Sequence, residues 1–232
     1  MTTDRTLRLS EIFESVQGEG PSAGAPSVFL RLATCNLRCR WCDTKYTWDW
    51  SRHRYEDEVR EVEVAEVARQ LAASTAPQLV VTGGEPLLQQ RALVRLLEAL
   101  PAALRVEVET NGTLAPPPAL ALRVDQWNVS PKLANSGELR ARRIVPEALA
   151  ALASTGRAWL KLVVQAEDEL AEIDALLAEV GWPKERILFM PEAATRLALA
   201  ERAPVVSRLA ASRGVGTSPR LHVERWDGKR GV

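Results

Sequence analysis

The chain has 232 residues, enough for one sizeable core, and its 46% hydrophobic and 26% charged residues are ordinary for a globular protein. Lys+Arg and Asp+Glu number 30 each, which argues against direct nucleic-acid binding or an anionic membrane, since both reward a positive excess. No run approaches about 18 apolar residues, so no membrane span is expected, and the polar stretch 1–10 lacks the apolar core of a secretory signal.

In chain order, 28–32 predicts a strand. The spacing of Val62, Val64, Ala65, Val67, Ala68 and Leu71 predicts a helix over 59–73. A short β-branched strand over 79–82 ends at Gly83-Gly84, and a helix over 89–100 stops at Pro101. Strands at 104–109 and 124–129 follow, with Ala115-Pro116-Pro117-Pro118 between them as a stiff loop. Then come a helix at 146–154 with proline in its first turn, a strand at 158–164, a helix at 167–180 and a strand at 186–190. A helical stretch over 193–213 is expected to break at Pro204, and 221–225 predicts a last strand. This alternation predicts an α/β fold with a mainly parallel sheet, and nothing marks a boundary, so 1–232 is expected to be one domain. Ligands of such sheets gather at the carboxyl ends of the strands, where the unusual residues fall.

The three cysteines, Cys35, Cys39 and Cys42, have the spacing C-x3-C-x2-C and are the whole complement. An odd, clustered set is no disulfide framework, and it points to a reducing, cytoplasmic setting. Soft thiolates select zinc, copper(I) or iron–sulfur. Structural zinc wants four protein ligands, which His53 could complete. Otherwise one position stays open, and an open position on a soft-metal centre is where a ligand can react. Thr82-Gly83-Gly84-Glu85-Pro86 follows an apolar strand, and two glycines let a backbone approach a ligand closely.

The cysteine loop resembles that of the radical S-adenosylmethionine (SAM) enzymes, and Gly83-Gly84-Glu85-Pro86 resembles that superfamily's GGEP motif. The resemblance implies a shortened, partial (β/α) barrel. It implies a [4Fe–4S] cluster on Cys35, Cys39 and Cys42, with the amino and carboxylate groups of SAM on the fourth iron. An electron then cleaves SAM to a 5′-deoxyadenosyl radical, so the cofactor carries the hard chemistry. The glycine motif would contact the SAM ammonium, and Glu109-Thr110-Asn111-Gly112 would wall the SAM pocket.

Ser15-Val16-Gln17-Gly18-Glu19-Gly20, Arg31, Trp41-Cys42-Asp43-Thr44, Tyr46, Trp48, Ser130-Pro131-Lys132 and Arg220-Leu221-His222-Val223 together resemble the 7-carboxy-7-deazaguanine synthase family from about residue 12 to 226. That resemblance implies a lyase of 7-deazapurine and queuosine biosynthesis, which contracts the ring of 6-carboxy-5,6,7,8-tetrahydropterin with loss of nitrogen as ammonia. Val16, Gln17 and Gly18 would read the pterin edge, and Thr82 would touch it. Arg31 suits a bidentate grip on the carboxylate. Trp41, Cys42, Asp43, Gly84, Ser130, Pro131 and Lys132 would contact SAM. Thr44 would ligate Mg2+, a hard ion content with few protein ligands. A homodimer and an electron donor such as flavodoxin or ferredoxin are implied partners. Met190-Pro191-Glu192 is followed by Ala193 where the family commonly has glycine, and His222 is expected to be structural. The alternatives are an activating enzyme that makes a glycyl radical on a partner protein, and a zinc module without catalysis.

Overall fold

The computed structural model describes residues 4–232, so the part of stretch 1–10 before Asp4 lies outside the described residues. Nine strands form one sheet: β1 (Thr6–Val16), β2 (Pro26–Leu32), β3 (Arg60–Glu63), β4 (Gln78–Gly83), β5 (Arg105–Thr110), β6 (Gln126–Val129), β7 (Ala158–Val164), β8 (Ile187–Pro191) and β9 (Gly216–Thr217). Their order is β3-β1-β2-β4-β5-β6-β7-β8-β9, so the sheet is open, with β3 and β9 at its edges. Pairing is parallel from β2 to β9, while β1 runs antiparallel to both β2 and β3. The helices are α1 (Tyr55–Glu58), α2 (Val64–Ala72), α3 (Gln90–Ala99), α4 (Pro118–Arg123), α5 (Arg140–Arg143), α6 (Pro146–Ala153), α7 (Leu170–Val180), α8 (Arg196–Arg213) and α9 (Leu221–Trp226). The expected α/β architecture with a mainly parallel, unclosed sheet is what is observed.

One continuous core sits between strands and helices. It joins Leu30, Val81, Val108, Trp127 and Leu160 from the strands to Val67, Leu96, Leu149 and Ile173 from the helices. Alternate strand residues point to opposite faces. The other face of β5, β6 and β7 carries Glu107, Gln126, Asn128 and Lys161, all buried. The helix side is dry and the inner side is polar.

Five expectations fail locally, each for a physical reason. The first strand is β1, not 28–32: Arg8, Ser10, Glu11 and Glu14 interrupt any apolar run, yet Leu7 and Leu9 are fully buried. The proposed helix 59–73 divides, because Arg60–Glu63 pairs with β1 before α2 begins at Val64. The proline stretch does not stay a loop to its end, since Pro118 opens α4, where a missing N–H costs nothing. Pro204 does not break α8. It frees the carbonyl of exposed Ala200 toward water, while Val206, Leu209 and Ala210 bury the helix against the core. Finally, 221–225 is not a strand but lies in α9; the edge beside β8 is taken by Gly216–Thr217, and the Leu221 N–H is held by the Gly18 carbonyl at 2.9 Å.

Candidate active site

The inner face of the sheet encloses a cavity of about 470 Å³. Its wall takes Cys35, Cys39, Trp41, Cys42, Asp43 and Thr44 from the loop after β2, and Arg31 and Thr82 from within β2 and β4. Val16, Gln17, Gly18, Gly84, Ser130 and Lys132 also line it, and Pro131 does not. Val16 pairs with Pro26 at the start of β2, whereas the cysteines follow the end of that strand, so the cavity runs the depth of the sheet.

The cysteine loop is held in a strained, preset form. Thr34, a β-branched residue, opens it at φ 75, with its N–H bonded to the Thr47 carbonyl at 2.6 Å. The glycines of the next strand explain themselves here. A Cβ on Gly83 would lie 2.1 Å from the Leu32 carbonyl oxygen, and one on Gly84 would lie 2.0 Å from that of Thr34. Gly84 N–H donates to Leu32 (2.9 Å) and Glu85 N–H to Thr34 (2.8 Å), so the motif docks against the loop's own backbone as well as facing the cavity. Glu85 is fully buried and accepts from Leu87 N–H, Thr110 Oγ1 and Asn111 N–H at 2.7–2.9 Å. It binds the ends of β4 and β5 together.

The sulfurs carry donors of their own. Leu37 N–H reaches Cys35 Sγ at 3.4 Å, and Trp48 Nε1 reaches Cys42 Sγ at 3.3 Å. Burial pushes the Cys35 thiol up to about 12 and raises that of Cys39 as well. Three neighbouring sulfurs, two half-buried and each of those two met by an N–H group, fit an iron–sulfur cluster, whose potential such bonds tune. Among the described residues, no three His, Cys, Asp or Glu side chains converge on a single-ion site. His53 sits 3.7 Å from Glu58 and edge-on to Tyr46, outside the cavity wall, so nothing here supports the zinc alternative. The Thr44 hydroxyl lies 3.5 Å from Cys42 Sγ.

Charge is concentrated deeper in. Lys161 is 4% exposed and ion-paired with Glu19, which Arg220 also meets at 3.2 Å. Burial works against the Glu19 anion, but Lys161 and Arg220 outweigh it and hold the carboxyl well below the usual range. Arg220 continues to Asp43 Oδ2 at 2.6 Å, tying the loop after β1 to the cysteine loop. His222 packs so closely that a Cβ on Gly18 would be 2.3 Å from its Nδ1, and burial lowers its pKa. Next to this cluster, Glu107 accepts from Gln17 Nε2 (2.5 Å), Asn128 Nδ2 (2.6 Å), Gln126 Nε2 (3.0 Å) and Ser22 Oγ. Burial, with Glu109 nearby, still pushes it up to about 7. Beyond the end of β6, Lys132 Nζ is 3.0 Å from Ser130 Oγ and 5.6 Å from the Trp41 ring centre.

Sequence reasoning missed Asn128, Lys161 and Val163, which line the cavity from β6 and β7, and the segment Gly228 to Val232, which reaches it from the chain end. Alternation was the available signal: Lys161 stands alone in an otherwise apolar strand.

The Radical SAM superfamily profile matches residues 31–188. The 7-carboxy-7-deazaguanine synthase of Pyrobaculum aerophilum is 40% identical, with 100% of each chain covered. That of Hyperthermus butylicus is 38% identical, covering 94% of this chain and 92% of the relative. Among solved structures, QueE from Escherichia coli superposes with a TM-score of 0.64 at 25% identity, covering 92% of this chain and 93% of that one. The chain therefore belongs to the radical SAM superfamily and, within it, to the 7-carboxy-7-deazaguanine synthase family.

Proposed function

We propose that this enzyme is a radical SAM carbon–nitrogen lyase that converts 6-carboxy-5,6,7,8-tetrahydropterin to 7-carboxy-7-deazaguanine with loss of ammonia. The carrying observation is that one cavity holds both the three-cysteine loop and an arginine fork. Arg31 uses Nε on Glu11 at 2.6 Å, and its two terminal amino groups have no hydrogen-bond partner among the described residues. They suit a carboxylate.

Cys35, Cys39 and Cys42 would hold the [4Fe–4S] cluster, and Trp41, Cys42, Asp43, Gly84 and Ser130 to Lys132 would hold SAM. Pro131 would act there by shaping the turn rather than by contact, as it is off the wall. When bound, the cluster and SAM would supply one-electron radical chemistry to this cavity. The chain's own residues do the rest. Val16, Gln17, Gly18 and Thr82 would orient the pterin, and Glu109 is linked to both Gln17 (3.2 Å) and Thr82 (2.6 Å). Phe13, stacked on Phe29 at 4.9 Å, adds an apolar wall that excludes water. Thr44, whose hydroxyl meets only a sulfur among the described residues, would ligate Mg2+ between loop and substrate.

We read 1–232 as one radical SAM domain, supported by its single sheet and continuous core. The homodimer, the flavodoxin- or ferredoxin-type donor and the cytoplasmic setting belong to the same reading. No described helix is long and apolar enough to cross a membrane. The test is anaerobic turnover with reconstituted cluster, SAM, Mg2+ and the carboxypterin. Formation of 7-carboxy-7-deazaguanine is expected, and SAM cleavage without it would refute the substrate assignment. Thr44→Val should slow product formation without lowering iron content. Unchanged turnover and metal dependence would place the Mg2+ elsewhere.

A further inference from the structure

Glu11 lies behind the cavity wall rather than on it, yet three groups of the site end on its carboxylate. The strand register shows how it gets there. Leu9 pairs with Leu32, but Glu11 pairs with Arg31, so β1 has a bulge between Leu9 and Glu11. A regular ladder would put Ser10 opposite Arg31. The bulge inserts one residue and re-aims the strand so that a carboxylate stands there instead. Glu11 Oε1 accepts from Arg31 Nε at 2.6 Å and from Tyr46 Oη at 3.0 Å. Oε2 accepts from Arg230 Nε at 3.2 Å.

Arg230 belongs to the segment that follows α9 and returns to the cavity mouth. Its guanidinium lies 3.8 Å from the Tyr46 ring centre and 2.7 Å from Glu58 Oε2. Arg31 and Tyr46 both line the cavity. One carboxylate therefore sets the rotamer of the arginine fork and receives the end of the chain on its other oxygen. Arg31 would otherwise choose among many rotamers. Pinned at Nε, it presents its terminal amino groups as one pre-aimed pair, and less freedom is lost when an acid arrives.

We infer that Glu11 is a positioning residue that aims Arg31 at the carboxylate of the bound acid, and that Arg230 latches it from the chain's end. The inference rests on the carboxylate-binding reading of Arg31.

The test is titration calorimetry of the cluster- and SAM-loaded protein with two probes, 7-carboxy-7-deazaguanine and 7-deazaguanine, which lacks the acid group. The wild type should prefer the acid. Glu11→Ala should weaken the acid by about tenfold, the cost of immobilising one long side chain, and leave 7-deazaguanine unchanged. Glu11→Gln keeps one acceptor for Arg31 Nε and should recover most of the preference. Arg230→Ala should lose less, about threefold, because Arg31 Nε keeps its bond to Glu11. Equal weakening of both probes would mean that Glu11 is only structural. A preference kept by Glu11→Ala but abolished by Arg31→Ala would overturn this inference alone. A wild type without preference would overturn the carboxylate reading and this inference with it.

Discussion

Gly83→Ala is the sharpest structural perturbation this site offers. The added Cβ would meet the Leu32 carbonyl oxygen at 2.1 Å, where an ordinary contact begins at 3.4 Å, so the ends of β4 and β2 must part by about 1.3 Å. That separation breaks the Gly84-to-Leu32 and Glu85-to-Thr34 bonds, which fix the cysteine loop. Residue 83 also has φ 132, a backbone that side chains rarely adopt. Overpacking costs roughly 1–3 kcal/mol and the backbone roughly as much again, together about 2–6 kcal/mol. For a chain of this size each kcal/mol lowers Tm by about 2–4 °C. Gly156→Ala is the control: its φ is 68 and nothing lies within 4 Å of its Cβ, so it has only the backbone term. Scanning calorimetry and the iron-to-protein ratio after anaerobic reconstitution are the assays. Gly83→Ala should melt well below Gly156→Ala and retain little iron. Equal Tm and equal iron in the two variants would refute the argument that the glycine pair seats the cysteine loop.

Three further outcomes are expected. Trp48→Phe removes the N–H bond to Cys42 Sγ; losing about 1 kcal/mol of stabilisation of the more negative cluster should lower its midpoint potential by about 40 mV, and an unchanged potentiometric titration would show that the indole does not tune it. Glu107 has a folded pKa raised from 4.5 to about 7, so the stability it lends is full below pH 4.5 and lost as pH rises through 7; the difference, 2.5 units, is worth about 3 kcal/mol. Urea unfolding from pH 5 to 8 should show that decline in the wild type and not in Glu107→Gln; parallel curves would contradict it. Lys161→Met leaves Glu19 buried with Arg220 as its remaining close cation and should cost about 3–5 kcal/mol, read as a lower urea midpoint; an unchanged midpoint would refute the idea that Lys161 is needed to balance that buried charge.

The legible parts of this molecule were those whose chemistry is compressed into a few neighbouring residues. Cys35, Cys39, Cys42, Gly83 and Gly84 announce themselves by spacing, and all line one cavity. Strand 158–164 was read to its ends because Ala158–Val164 is nearly continuous in apolar residues. β1 was illegible for the opposite reason: its bulge shifts the alternation partway along, so neither a period of two nor an apolar run survives. The helix at the chain end was misread because six residues with one buried valine carry no period that distinguishes helix from strand. The ion-paired set of Glu19, Lys161, Arg220 and Asp43 draws on four segments up to 201 residues apart, a proximity that only the folded sheet creates.

The two faces of β5 to β7 have a consequence for how such a chain can change. Val106, Val108, Trp127, Val129, Leu160 and Leu162 carry folding, while their immediate neighbours Glu107, Glu109, Gln126, Asn128 and Lys161 carry polarity. The two sets interleave in sequence and stand on opposite faces of the sheet, so a substitution in one does not repack the other. Selection can then rewrite the inner set as a coordinated group of charges and amides while the outer set stands still. A library randomising only the five inner positions would sample new ligands on an intact scaffold, provided that each draw keeps the buried charges matched.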